Sequence, residues 1–388
     1  MSSCVSAIPE PEPELASATR NAAPPARAST AHGALSIGLI GPGRVGAALL
    51  AQLRQAQPRL ARDWDLHLAL RGVAARRRMW LDCDDEALDA RRAGAQTWRP
   101  NDLDALAAHV AQGGRAALLV DCSASEAVAA HYPAWLAAGI HVVTPNKHAG
   151  SGALAHWQAI GTASRAGAAC FRHEATVGAG LPVVQTLRDL LDTGDQLHAI
   201  EGVFSGSLAW LFHHHDGARP FSAWLREAQA LGYTEPDPRE DLSGRDVARK
   251  LVILAREAGW PLSLEDVRID DLVPPALAAL PCTQALEQLD ALDAPLADRL
   301  AQARAQGGVL RHVARLDRAG HAEVRLRVLP PEHPFAHGRA TDNMVCFHSR
   351  RYEDNPLLVQ GPGAGPEVTA AGVFADLLRV AESLGARR

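Results

Sequence analysis

Residues 35–46 read L-S-I-G-L-I-G-P-G-R-V-G, a short apolar run that ends at glycine and then opens a helical pattern. The glycines fall as G-x-G-x-x-G between a strand and a helix, which is the placement of a dinucleotide-binding turn. Gly41 permits the tight turn, Gly43 lets the backbone approach a pyrophosphate, and Gly46 lets helix and strand pack closely. The anion rests on the free N–H groups of the helix start. Gly41, Gly43, Arg44, Val45 and Gly46 are therefore candidate cofactor contacts. Pro42, unusual between the first two glycines, removes only one N–H.

Outward from this turn, strand and helix patterns alternate. R-V-G-A-A-L-L-A-Q-L-R-Q-A has helical spacing, and D-L-H-L-A-L-R-G-V-A is a second strand candidate. A third ends at Ser123, and a fourth, H-V-V-T-P-N-K, covers 141–147. Helical stretches N-D-L-D-A-L-A-A-H-V-A-Q and S-E-A-V-A-A-H-Y-P-A-W-L-A-A-G lie between them. The alternation predicts an α/β fold with a doubly wound, Rossmann-like parallel sheet. After about residue 170 the pattern changes. H-A-I-E-G-V-F-S-G, V-L-R-H-V-A-R-L-D and A-E-V-R-L-R-V-L-P read as strands, mixed with long helices at 181–192, 221–231 and 243–258. That mixture predicts an α+β domain with a mixed or antiparallel sheet. The expected division is a disordered Ala/Pro/Glu-rich tail at 1–33, a dinucleotide domain at 34–170, a substrate and dimerisation domain at 171–355, and a loop and helix at 356–388 that return to the dinucleotide domain.

Composition excludes several classes. A net charge of −5 over 388 residues offers no basic field for nucleic acid or an anionic membrane surface. Six cysteines without CxxC spacing argue against a disulfide framework or zinc site and fit a reducing, cytoplasmic setting. No apolar run approaches the roughly 18–20 residues needed to cross a bilayer. The N-terminus lacks the pattern of a secretory signal.

Cofactor choice turns on the end of the second strand. An NAD site often places a carboxylate there for the ribose 2′-hydroxyl. Here the strand ends G-V-A-A-R-R-R, with no carboxylate. Arg76, Arg77 or Arg78 can hold a 2′-phosphate through charge-assisted bonds, which favours NADP(H) over NAD(H). A solvated basic helix start accounts for the same three residues equally well.

The chain has 39 basic residues, of which only Lys147 and Lys250 are lysines. Arginine solvates and caps as well as lysine does, but it does not deprotonate in proteins. A hydride-transfer enzyme acting on an alcohol needs a group beside the reacting oxygen that can give up a proton. Lys250 lies in Y-T-E-P-D-P-R-E-D-L-S-G-R-D-V-A-R-K (233–250), where Glu235, Asp237, Glu240, Asp241 and Asp246 crowd together. Ser243 reads as a helix N-cap with Asp246 at N3, and Asp246 and Lys250 share one helix face at i,i+4. A solvated acidic loop with an ordinary surface pair is the bland alternative, but it leaves the lysine count unexplained. Lys147 closes the fourth strand candidate, and ligands of doubly wound sheets lie beyond the carboxyl ends of the strands.

Together with G-x-G-x-V-G, the segments D-C-S-A-S (121–125), V-V-T-P-N-K (142–147), E-A-T-V-G-A-G-L-P-V (174–183), G-V-F-S-G-S-L-A-W-L-F (202–212), the 232–251 block and G-P-G-A-G-P-E-V-T-A-A-G-V-F-A-D-L-L (361–378) occur in this order. Over roughly 35–385 the chain resembles homoserine dehydrogenases, especially the dehydrogenase half of bifunctional aspartate kinase–homoserine dehydrogenases. The resemblance implies reversible NAD(P)H-dependent reduction of L-aspartate 4-semialdehyde to L-homoserine, on the branch towards threonine, methionine and isoleucine. It implies Lys250 as proton donor, Lys147 between cofactor and substrate, and Glu235, Asp246 and Asp241 as substrate residues. It places Ser123 and Gly365 at the cofactor. It also implies a monovalent cation site, typically sodium, from the Glu174 side chain and the carbonyls of Val177, Ala179 and Leu181. By the residues alone that segment is a glycine hinge. The resemblance further suggests a homodimer built through the second domain's sheet. Its usual Tyr before Glu174 is His173 here, with no catalytic effect expected. With no kinase segment before the dinucleotide domain and none for regulation after it, a monofunctional enzyme without threonine feedback is the expectation.

Two features are set aside. His213-His214-His215 reads as a solvated connection rather than a metal site, for want of partners at ligand spacing. Ser205-Gly206-Ser207 lacks the nucleophile motif and a paired base. Two other functions remain open: an oxidoreductase of similar fold acting on a different amino-acid aldehyde, and a non-catalytic dinucleotide sensor.

Overall fold

A computed structural model describes residues 34–81 and 98–386. The tail expected at 1–33 lies outside the described residues. Among the described residues, thirteen strands form two sheets. The first holds β1 (Ala34–Ile40), β2 (His67–Ala74), β3 (Arg78–Leu81), β4 (Arg99–Pro100), β5 (Ala116–Asp121), β6 (His141–Val143) and β7 (Phe171–Arg172). The second holds β8 (Leu197–Val203), β9 (Arg268–Ile269), β10 (Val309–Asp317), β11 (Ala322–Leu329), β12 (Asp342–Ser349) and β13 (Leu357–Pro362).

The first sheet runs β4-β3-β2-β1-β5-β6-β7. From β2 to β7 all pairings are parallel. The expected parallel sheet is thus present, with an antiparallel addition, β3 and β4, on one edge. β1 and β5 are buried on both faces, which is why they read as unbroken apolar runs rather than alternating ones. The strand order reverses between β1 and β5, the switch point where such sheets bind ligands.

The glycine turn sits at that point. Gly41 has φ 84°, and a Cβ on it would meet the Cys122 carbonyl carbon and the Ser123 nitrogen at 2.8 Å. A Cβ on Gly46 would overlap the Gly41 carbonyl oxygen, so the helix Arg44–Trp64 can approach the strand only with glycine there. A Cβ on Gly43 would meet nothing within 4 Å, so this is the open side of the turn.

The second sheet runs β13-β12-β8-β10-β11-β9 and is antiparallel apart from the β11–β9 pair. The helix Arg245–Glu257 packs on one face, burying Val247, Leu251, Val252 and Leu254 in a core with Ile200, Leu316, Val324 and Phe347. Each such side chain contributes on the order of 1.5–3 kcal/mol when fully buried. The last helix, Pro366–Ser383, returns to the first sheet. Its Ala370, Val373 and Leu377 join the core containing Leu49 and Leu53 of the first helix.

Several expectations are corrected. The fourth strand ends at Val143, because Pro145 cannot extend a ladder and the Thr144 hydroxyl instead accepts the Asn146 N–H at 2.8 Å. Lys147 therefore stands past the strand, preceding the short helix His148–Ser151. The helix expected over 125–139 splits into Glu126–Ala129 and Tyr132–Ala137. The arginines 76–78 do not start a helix; Arg76 and Arg77 make the exposed turn of the β2–β3 hairpin and Arg78 opens β3. Ser243 does not cap the helix Arg245–Glu257. Gly244 does, at φ 68°, while Ser243 ends the preceding short helix Arg239–Leu242 and donates to the Glu240 carbonyl. His213 and His214 lie in the last turn of the helix Gly206–His214, and His215 is buried rather than solvated.

Candidate active site

Two elements from different halves of the chain bring the lysines together. Asn146 is a buried peg. Its amide donates to Asp121 and to the Ser125 carbonyl, both at 2.9 Å, and its oxygen accepts the His148 N–H at 3.0 Å. That fixes the backbone on either side of Lys147. The helix carrying Lys250 then docks on the next turn: a Cβ on Gly150 would meet Ile253 at 2.8 Å, and Arg256 donates to the Gly150 carbonyl at 3.0 Å.

One carboxylate lies between the two lysines. Asp246 Oδ2 is 2.8 Å from Lys250 Nζ, and its Oδ1 is 3.4 Å from Lys147 Nζ. Burial alone would raise the Asp246 carboxyl; Lys250 and then Lys147 outweigh it and hold it well below the usual carboxylate range. Burial also pushes the Lys147 ammonium down, and Asp246 opposes that shift. Lys250 is the more enclosed lysine and donates a second bond, at 2.7 Å, to the Phe204 carbonyl. An ammonium has three N–H donors. Two are committed, which leaves one for a ligand.

The cavity beside Lys250 has a volume of about 470 Å³ and is walled by Ser205, Ser207, Tyr233, Glu235, Asp246 and Gly365 among others. Asp241 also faces it, but its oxygens are already engaged. One accepts the Ser207 hydroxyl at 2.7 Å and the other the Glu235 backbone N–H at 2.9 Å. Burial raises the Asp241 carboxyl, and Ser207 and the Glu235 N–H oppose the rise. Asp241 thus shapes the turn that presents Glu235. Ser205 caps the helix Gly206–His214 through the Leu208 N–H and lies 2.8 Å from the Ser207 hydroxyl. Sequence reasoning tested these serines only as nucleophiles; the signal it passed over was Ser205 as an N-cap opening a buried helix.

The cofactor candidates gather at the switch point. The Gly41 N–H donates to the Ala74 carbonyl at 2.8 Å, which sets the end of β2, and with it the Arg76–Arg77 turn, beside the glycine loop. Ser123 lies against Gly41, its N–H on the Asp121 carboxylate at 2.8 Å. Gly365 precedes the last helix at φ 118° and lines the Lys250 cavity.

The cation candidates also gather. Glu174 accepts the Val184 and Gln185 N–H groups at 2.7 and 2.9 Å, capping the helix Val183–Asp192. Ala179 holds φ 55°. The Leu181 carbonyl accepts the Val183 N–H at 2.8 Å, whereas among the described residues the Val177 and Ala179 carbonyls accept no backbone bond. Three enclosed carboxylates, Glu174, Asp376 and Glu257, face two guanidiniums, Arg379 and Arg188. Burial and the neighbouring Asp376 raise the Glu174 carboxyl, and this enclosed carboxylate with the open Val177 and Ala179 carbonyls suits a monovalent cation. Among the described residues, no cluster of three or more His, Cys, Asp or Glu side chains is placed to hold a metal ion.

Two family models match this chain, homoserine dehydrogenase over residues 182–378 and homoserine dehydrogenase, NAD binding domain, over 41–174. The chain belongs to the homoserine dehydrogenase family. A homoserine dehydrogenase of Paracoccidioides brasiliensis is 38% identical over 371 residues, covering 90% of this chain and 98% of that one. Bifunctional aspartokinase/homoserine dehydrogenase 1 of maize is 45% identical over 359 residues, 91% of this chain. The chain spans 39% of the length of that maize protein. Among solved structures, a Candida auris protein of unknown function matches at TM-score 0.83 and 36% identity, covering 90% of this chain and 98% of that one. A hyperthermophilic archaeal homoserine dehydrogenase in complex with NADPH shares the fold at TM-score 0.69 and 22% identity, covering 92% and 100%. The homoserine dehydrogenase fold, a dinucleotide-binding sheet with a second sheet-and-helix layer, is thus common to both. Among the described residues no helix is long and apolar enough to cross a membrane.

Proposed function

We propose that this homoserine dehydrogenase homologue reduces L-aspartate 4-semialdehyde to L-homoserine with NADPH, and reverses the reaction. The observation that carries the reading is the Asp246 carboxylate, which joins Lys250 in the wall of a cavity to Lys147, past the carboxyl end of β6. Gly41–Gly46 and Ser123 would hold the dinucleotide, which when bound would supply a hydride for the aldehyde carbon. Lys250 gives its free proton to the aldehyde oxygen, which becomes the hydroxyl of the alcohol. The Phe204 carbonyl and Asp246 hold the ammonium so that this proton faces the cavity. Lys147 supplies a second positive charge where the oxygen gathers electron density. Glu235, presented by Asp241, meets the substrate's α-ammonium as a charge-assisted acceptor.

NADP(H) is the proposed cofactor because Arg76 and Arg77 are exposed beside the glycine loop and β2 ends without a carboxylate. The enclosed Glu174 carboxylate and the open Val177 and Ala179 carbonyls support a sodium ion held there with the Leu181 carbonyl, in a structural role. Residues 34–170 serve as the dinucleotide domain and 171–355 as the substrate domain, whose sheet forms a homodimer contact. The decisive assay follows the loss of NADPH absorbance with aspartate semialdehyde. Turnover of other amino-acid aldehydes but not of this one would reject the substrate. Cofactor binding with no turnover of any aldehyde would leave the sensor reading in its place.

A further inference from the structure

We propose that Asn343 is a positioning residue for Lys250, and that residue 363 is glycine so that Asn343 can hold its place. The inference rests on the reading of Lys250 as the proton donor. The Phe204 carbonyl, just past the end of β8, accepts two donors: Lys250 Nζ at 2.7 Å and the Asn343 amide at 3.3 Å. Asn343 is fully buried on β12, and its Oδ1 has no hydrogen-bond partner among the described residues. A buried acceptor without a partner is destabilising, so packing alone gives no reason to keep an amide here. Its donor side does. The amide N–H fixes the direction of the Phe204 carbonyl, and that carbonyl takes one of the three N–H groups of Lys250.

Gly363 adds the second half of the device. It lies in the G-P-G-A-G loop after β13, at a φ outside the left-handed range, so its backbone accepts alanine. Space does not. A Cβ there would overlap the Asn343 side chain at Cγ and Nδ2. The same loop leads through Gly365 into the last helix, which packs on the helix of the dinucleotide turn. Contact therefore runs from that loop through Gly363, Asn343 and the Phe204 carbonyl to the Lys250 ammonium.

Because the chain has only two lysines, ε-15N-lysine labelling gives two side-chain resonances, and Lys147→Arg assigns them. Asn343→Ala and Gly363→Ala should each move the Lys250 resonance more than that of Lys147. Each should lower kcat with aspartate semialdehyde about 10- to 100-fold, the scale of a displaced catalytic group. NADPH affinity should stay within about twofold, and the solvent isotope effect on kcat should rise. In the Asn343→Ala background, Gly363→Ala should cost less than about twofold further, since the side chain it would strike is gone. Should Asn343→Ala fail to fold, Gly363→Ala in its half-exposed loop carries the same test through the resonance and the isotope effect. An unmoved Lys250 resonance, or a Gly363→Ala penalty undiminished by Asn343→Ala, overturns the inference. If the resonance moves but the unaltered protein does not turn over aspartate semialdehyde, the positioning stands and the assigned reaction falls.

Discussion

The Asp246 carboxylate spans the two lysines of the chain, with one oxygen 2.8 Å from Lys250 Nζ and the other 3.4 Å from Lys147 Nζ. Two ammonium groups this near one another would repel without a shared counter-ion. Asp246 is placed to be that counter-ion. An arginine cannot take the part proposed for Lys250, since it gives up no proton.

Lys250→Arg tests the proton donor. It keeps the charge and the i,i+4 pair with Asp246 but removes the transferable proton. We expect kcat to fall by about 10² to 10⁴, with NADPH affinity, read by fluorescence titration, nearly unchanged. Retention of kcat within a few-fold would assign the proton to another group.

Arg76 and Arg77 should set cofactor choice. Replacing both by Ser should raise KM for NADPH by about 10-fold or more, while NADH kinetics move little, because only the 2′-phosphate pairs with them. The ratio of kcat/KM for NADPH and NADH is the measurement. An unchanged ratio would make the arginines a solvated hairpin turn.

The cation reading predicts a specific salt effect. At constant ionic strength, sodium chloride should raise Tm above its value in choline chloride, since a ligand bound only by the folded state stabilises it. Glu174→Gln removes the negative charge and should abolish the difference. Equal Tm values in the two salts for the unaltered protein argue against the site.

Acid stability should depend on His312. It is buried beneath Gly244, and burial lowers its imidazole to about 4, with Asp270 opposing. The unfolded chain, near 6.5, thus binds this proton more readily than the folded protein. The contribution of neutral His312 is complete above pH ~6.5 and is lost as pH falls towards 4. At pH 5 the loss amounts to about 2 kcal/mol at most. His312→Leu should shrink the fall in stability between pH 7 and pH 5, measured by urea unfolding. The same slope in both proteins would place the acid sensitivity elsewhere.

Much of the dinucleotide half was legible because its signals are local. Gly41, Gly43 and Gly46 constrain a single turn, and β1 and β5 announce burial on both faces through unbroken apolar runs. Local signals also misled. Ser243 three residues before Asp246 imitates a capping box, but Gly244 takes the left-handed capping position and leaves the Asp246 carboxylate free to meet the lysines. H-V-V-T-P-N-K looked like one strand, though Pro145 and the Thr144 and Asn146 side chains turn its second half into a loop.

By itself the sequence determined the kind of chemistry: a dinucleotide turn, an acidic block, and two lysines kept where arginine filled every other basic position. Only the tertiary structure decided how these meet. Lys147 and Lys250 lie 103 residues apart (250 − 147) and come together on one carboxylate because the Arg245–Glu257 helix docks on Gly150. Asn343 and Gly363 carry no motif that ties them to Lys250. Their relation to it runs through the backbone carbonyl of Phe204, a group every residue possesses, so only the fold could single it out.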